Sequence, residues 1–148
     1  MRLDKWAVTA QEALQAALGI AGDVEASEVA PTHLLKALLD SNERNLRSIL
    51  EKIGADPDTI ATQVDQAISK APKVSGVQIG IGNDLLKVIN EAEKLATKLG
   101  DSYVTSEHLL TALANDNTDA GRILRDAGVT AKRVEEVYNE LRGDERVT

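Results

Sequence analysis

Apolar residues recur at intervals of three and four from Leu85 to Leu99, where they occupy positions 85, 89, 92, 96 and 99. This spacing predicts an amphipathic α-helix. Leu86, Val88 and Leu95 widen its apolar arc to roughly 180°, whereas a helix that docks on a core requires little more than about 100°. We therefore expect Ile89, at the centre of the arc, to lie in the core. The surplus edge either packs against a neighbouring unit or lines an open groove.

The same order of apolar and polar positions occurs twice in the chain. "VAPTHLLKAL" at residues 29–38 returns as "VTSEHLLTAL" at residues 104–113, a shift of 75, and "ILEKIGAD" returns as "ILRDAGVT" at a shift of 74. Upstream, a shift of 79 aligns Glu12–Gly19 with Glu91–Gly100 if two residues are inserted before the second glycine. Self-similarity of this kind is the signature of a repeated supersecondary unit. The sequence thus predicts two copies of one unit.

Capping signals mark where the helices of each unit begin and end. Gly54 and Gly128 are placed to end one helix, and Asp56 and Thr130 are placed to cap the next. Pro57 follows at a first helical position, where proline is well tolerated. These boundaries predict four helices in each unit and an all-α fold of about eight helices.

The two units are expected to form one domain. We place the first repeat at residues 1–72, a flexible linker rich in glycine at 73–82 and the second repeat at 83–148. A unit of this size buries too little apolar surface to be stable alone. The two copies are therefore expected to pack around a pseudo-two-fold axis.

Composition narrows the class of function. With 24 acidic and 17 basic residues the chain has a net charge of −7, and both halves are acidic, which disfavours a nucleic-acid partner. No apolar run approaches the roughly 20 residues needed to span a bilayer. The N-terminal residues contain no hydrophobic signal core. We therefore expect a cytoplasmic protein without a membrane partner.

No motif in the sequence indicates catalysis. The segment "GVQIGIGND" lacks the Lys-Ser/Thr pair that completes a phosphate-binding loop. His33 and His108 occur in equivalent positions of the two copies, but neither lies in a metal-binding or nucleophile motif, and the chain has no cysteine. Each histidine is expected to pack in the first turn of its helix. The sequence predicts a binding domain with no catalytic residues, no metal site and no cofactor of its own.

The repeated segments resemble the Clp N-terminal repeat, which occurs twice ahead of the AAA+ ATPase ring in Clp proteins. "MRLDKW", "APKVSG", "GDSYVTSE" and "LRGDERVT" are most similar to the ClpB-type disaggregases. The resemblance implies a domain that engages unfolded or aggregated polypeptide and passes it to the ring. It further implies a hexameric parent whose downstream modules bind ATP and Mg²⁺ and that acts with a DnaK-type chaperone system.

The resemblance also assigns candidate binding residues. An apolar groove would include Ile89 and Leu95, with polar contributions from Asp101 and Glu107. The family often has a threonine where this chain has Ala7. A role that depends on the threonine hydroxyl is therefore not expected at this position. The alternative interpretation is an adaptor-docking domain of a ClpA-type or ClpC-type protease unfoldase. A stand-alone enzyme is disfavoured by the missing motifs.

Overall fold

The computed structural model describes residues 1–76 and 78–143, and in these residues the chain forms eight α-helices and no strand. A 3₁₀ turn at Leu3–Lys5 precedes them. The helices are α1 Val8–Asp23, α2 Pro31–Asp40, α3 Arg44–Ile53, α4 Pro57–Lys70, α5 Asn83–Lys98, α6 Ser106–Ala114, α7 Asp119–Asp126 and α8 Ala131–Arg142. The prediction of an all-α fold is confirmed. Val77 of the predicted linker and residues 144–148 of the predicted second repeat lie outside the described residues.

The capping residues are where the sequence places them. Gly54 and Gly128 follow α3 and α7 with φ angles of 87° and 86°, a conformation that side-chain-bearing residues rarely adopt. The Asp56 carboxylate accepts a hydrogen bond from the N–H of Asp58 at 3.1 Å. The Thr130 hydroxyl accepts one from the N–H of Arg133 at 3.1 Å. Local chemistry therefore sets the same helix boundaries in both halves.

The structure corrects the predicted register of the first helix of each repeat. α1 and α5 both contain 16 residues and begin 75 positions apart, at Val8 and Asn83. A shift of 75 also superposes their buried positions, Ala10, Ala13, Leu14, Ala17 and Ala21 on Leu85, Val88, Ile89, Ala92 and Ala96. The predicted shift of 79 is wrong by four residues. One turn of helix is about 3.6 residues, so a slip of four residues keeps the apolar faces of α1 and α5 aligned. The sequence pattern therefore does not distinguish a shift of 75 from a shift of 79.

The two halves pack as equivalent partners. α2 and α6, which are equivalent, contact each other at the centre of the domain. On either side of them α3 contacts α8 and α4 contacts α7, while α1 reaches α6 and α5 reaches α2. Each of these pairs is exchanged with its counterpart when the two repeats are swapped, which confirms the pseudo-two-fold arrangement. One apolar cluster runs through both halves and includes the fully buried Leu34, Leu35, Leu109 and Leu113.

Two short backbone pairings join the halves reciprocally. The segment before α1 pairs with the α5–α6 loop, where the N–H of Ala7 donates to the carbonyl of Val104 at 2.8 Å. The segment before α5 pairs with the α1–α2 loop, where the N–H of Val29 donates to the carbonyl of Gly80 at 3.0 Å and the N–H of Gly82 to the carbonyl of Val29 at 3.0 Å. The described linker residues around Gly80 are therefore held by hydrogen bonds that the sequence pattern did not predict.

None of the helices in the described ranges combines the length and the apolar character that a bilayer span requires.

Candidate functional site

The two equivalent histidines lie buried in the first turns of α2 and α6, as the repeat predicted. His33 Nδ1 accepts a hydrogen bond from the backbone N–H of Ala30 at 2.9 Å. His108 Nδ1 accepts the equivalent bond from Thr105 at 2.8 Å. Because Nδ1 accepts in both rings, the neutral histidine carries its proton on Nε2. Burial lowers the pKa of both histidines below the ordinary value.

The second repeat extends its histidine into a buried polar network. His108 Nε2 lies 2.8 Å from Asp101 Oδ2 and donates to it. Arg142 binds the same carboxylate with both guanidinium branches, Nη2 to Oδ1 at 2.8 Å and Nη1 to Oδ2 at 3.1 Å. The hydrogen bond to Asp101 raises the pKa of Arg142, whose guanidinium also stacks over the ring of Tyr138 at 4.8 Å. The network joins the α5–α6 loop to α6 and α8.

The first repeat has no such network. The position of Asp101 is taken by Ala26 at a shift of 75, and that of Arg142 by Ile68 at a shift of 74. Ala26 and Ile68 both belong to the apolar core. His33 Nε2 is buried and has no hydrogen-bond partner among the described residues. The duplicated unit therefore packs with apolar groups where the second copy has an ion pair.

We expect the domain to lose stability as the pH falls through about 6.5, because the unfolded state takes up protons that the two buried histidines resist. The dependence is at most about 1.4 kcal/mol per pH unit for each histidine. His33→Gln keeps a side-chain acceptor for the N–H of Ala30 but does not titrate. Urea unfolding at pH 7 and pH 5 should show a smaller loss in this variant than in the wild type, and an equal loss would contradict the assignment.

The structure places the four predicted groove residues in different environments. Ile89 is completely buried, as expected for the centre of the apolar arc. Asp101 is 8% exposed and Glu107 is 3% exposed, so neither carboxylate is open to a partner in this arrangement. Leu95 is half-buried and lies outside the apolar core. Whether any of the four binds polypeptide stays a prediction, and Leu95 is the one whose side chain a ligand can reach.

Leu95 lies in a surface groove of about 240 Å³. α5 and α8 form its walls, and the C-terminal half of α6 forms its floor. Its lining residues are Glu91, Lys94, Leu95 and Lys98 from α5, Thr111 and Ala112 of α6 with the adjoining Asn115, and Ala131 and Glu135 from α8. Apolar groups thus lie in the groove, and charges of both signs lie around them. We call this the Leu95 groove.

A second depression, of about 400 Å³, continues the Leu95 groove along α5 and shares Glu91, Ala112 and Asn115 with it. The first repeat has a depression of about 300 Å³ at the equivalent position between α1 and α2. The depression in the first repeat and the 400 Å³ depression in the second differ in charge, because Glu12 lines the former where Lys87 lines the latter. The Leu95 groove and its extension run from Asp84 to Lys98, a length of about 21 Å at 1.5 Å per helical residue.

Within the described ranges, no group of three or more histidine or acidic side chains is arranged to hold a metal ion. The geometry instead shows two equivalent repeats, and the second repeat has an extended groove with a buried ion pair near it. The sequence profile of the Clp repeat (R) N-terminal domain matches residues 5–127. The chain belongs to this family.

Individual relatives agree with the family assignment. The ClpB chaperone of Corynebacterium diphtheriae is 36% identical over 141 residues, which cover 93% of this chain and 17% of that protein. The Hsp104 N-terminal domain from Candida albicans superposes with a TM-score of 0.84 at 23% identity, covering 97% of this chain and 95% of that one. The ClpV N-domain in complex with a VipB peptide gives a TM-score of 0.74 at 20% identity, covering 93% and 86%. The two structural matches establish the fold alone.

Sequence reasoning missed the part that α8 plays in this Clp N-terminal domain. Ala131 and Glu135 form a wall of the Leu95 groove, and Tyr138 and Arg142 belong to the buried network. One signal was present, since Tyr138 and Arg142 are four residues apart and share a helix face. Nothing in the sequence indicated that this face would meet a carboxylate 41 residues away.

Proposed function

We propose that this Clp N-terminal domain captures unfolded or aggregated polypeptide in the Leu95 groove and passes it to the ATPase ring of a ClpB-type parent. The half-buried leucine in a surface groove carries the proposal. Leu95 is accessible, lies outside the core and lines the groove together with Ala112 and Ala131. A leucine placed in this way gains stabilisation when an apolar side chain covers it.

The dimensions of the groove suit a short extended segment. The Leu95 groove and its extension together are about 21 Å long, which corresponds to roughly six residues of extended chain at about 3.4 Å each. Contacts over so small an area favour weak binding. Mixed charges around the apolar groups, among them Lys94, Lys98 and Glu135, disfavour selection for one charge pattern. Weak binding with little sequence preference is what capture of many unfolded chains requires.

The comparisons support this proposal at the level of family and fold. The curated ClpB relative is a chaperone, and a ClpV domain of the same fold has been observed with a bound peptide. Since the chain spans 17% of the length of that ClpB protein, the properties of the parent are proposals too. We infer a cytoplasmic, hexameric AAA+ protein whose other modules bind ATP and Mg²⁺ and that acts with a DnaK-type chaperone system. On this proposal the domain itself is not an enzyme.

Leu95→Gln is expected to weaken binding of a permanently unfolded model protein at least fivefold while changing the free energy of unfolding by less than about 1 kcal/mol. The amide on a solvated wall keeps its contact with water, so no unsatisfied buried group results. Binding is measured by fluorescence anisotropy with labelled, carboxymethylated α-lactalbumin. Stability is measured by urea unfolding.

Leu18→Gln is the matched control, because Leu18 is a 38% exposed leucine on α1 that does not line the Leu95 groove. It should leave the affinity unchanged. Equal losses in both variants would show that exposed leucines bind the probe unspecifically and would exclude the groove. Tight binding of a folded adaptor, together with no binding of unfolded protein, would favour the alternative of an adaptor-docking domain.

A further inference from the structure

One buried carboxylate joins all the elements that form the Leu95 groove. Asp101 lies in the loop that follows α5, the helix that forms one wall. Its Oδ2 accepts from His108 on α6, the floor, at 2.8 Å. Both of its oxygens accept from Arg142 on α8, the opposite wall, at 2.8 and 3.1 Å. We call these three residues the Asp101 clasp.

The clasp holds one end of the groove. Glu135 lines the groove, and Arg142 follows it by two helical turns on α8, so the guanidinium fixes α8 beyond the groove. On the opposite wall Lys98 is the last residue of α5, three positions before Asp101. The separation of α5 and α8 is therefore tied to the clasp at this end.

Packing of the repeat does not require the clasp. The first repeat has Ala26 and Ile68 at the positions of Asp101 and Arg142, and both are part of its core. A buried ion pair is in general a weak source of stability, since desolvation offsets much of the attraction, whereas its fixed geometry specifies one arrangement. The ion pair thus occurs in the repeat that carries the Leu95 groove and is replaced by apolar packing in the other.

We propose that Asp101 is a positioning residue that sets the width of the Leu95 groove through Arg142 and His108 and does not touch the bound polypeptide. Its carboxylate is enclosed, with a side-chain exposure of 0%, which separates this role from a direct polar contact. The effect on binding rests on the proposed function, whereas the effect on groove width does not.

The test replaces the clasp by its counterpart from the first repeat, in the double variant Asp101→Ala/Arg142→Ile. Because the chain contains no cysteine, spin labels at Thr97→Cys on α5 and Lys132→Cys on α8, two exposed positions that do not line the groove, report the separation of the two walls by pulsed electron paramagnetic resonance. We expect a broadened distance distribution, about tenfold weaker binding of carboxymethylated α-lactalbumin and a urea midpoint close to that of the unsubstituted domain.

Arg142→Lys is the second variant, since lysine keeps the charge but not the paired hydrogen bonds. Arg142→Lys should broaden the distance distribution less than the double variant does. If the double variant unfolds too readily to be measured, Arg142→Lys alone tests the proposal. An unchanged distribution in a folded variant overturns the proposal, even if affinity falls, because Asp101 would then act by direct contact. Broadening in a domain whose unsubstituted form binds no unfolded protein would reject the proposed function and leave the clasp standing.

Discussion

A fragment of residues 1–72 is expected to show no cooperative unfolding transition, although it contains the whole of the first predicted repeat. α1 and α2 both contact helices of the second repeat, and so do α3 and α4. Removal of that repeat exposes the surfaces they cover. Full burial of one leucine contributes about 1.5–3 kcal/mol, and a domain is stable by only about 5–15 kcal/mol in total. Exposure of several core leucines is therefore enough to abolish folding.

The measurement is urea unfolding of the fragment, followed by circular dichroism, beside the full chain. Addition of the complementary fragment 73–148 is the control, because the two halves should complete each other and restore a transition. A sigmoidal transition of fragment 1–72 alone, at the midpoint of the full domain, would contradict the interdependence of the repeats.

The helices were predictable from the sequence because their signals are local. Gly54 with Asp56, and Gly128 with Thr130, each end one helix and begin the next within three residues. The register of α1 against α5 was not predictable in this way, because a slip of about one turn keeps the apolar face aligned. What distinguishes the two registers is the reciprocal pairing of Trp6 with Val104 and of Val29 with Ile81. These contacts join distant parts of the chain.

The candidate site was predictable only in part, for a related reason. The central position of Ile89 in the apolar arc predicted its burial. The arc left open whether Leu95 packs against the other repeat or lines a groove, and the structure shows it half-buried. No local pattern indicated that Asp101 is enclosed, since carboxylates usually lie at the surface. Its burial depends on Arg142, a partner 41 residues away on a helix whose packing no local pattern reveals. Polar pairs between residues far apart in the chain therefore could not be predicted from the sequence.

Ile89→Gln is expected to reduce the free energy of unfolding by roughly 2–4 kcal/mol, the largest effect we predict for a single substitution. Ile89 has no exposed surface and lies on the face of α5 that joins the core. The substitution removes apolar contacts and places an amide in the apolar core. Urea unfolding monitored by circular dichroism gives the change, and any loss of polypeptide binding should follow the unfolded fraction.

Leu95→Gln is the matched control for Ile89→Gln, since both residues lie on α5 and both changes introduce the same amide. Leu95 is half-buried and outside the core, so its substitution should cost less than about 1 kcal/mol. The decisive comparison is made where both variants are folded, at low temperature and without urea. There Leu95→Gln should bind unfolded protein more weakly than Ile89→Gln does. The reverse order of stabilities would mean that Leu95 belongs to the packing between the repeats, and the groove would lose the residue that defines it.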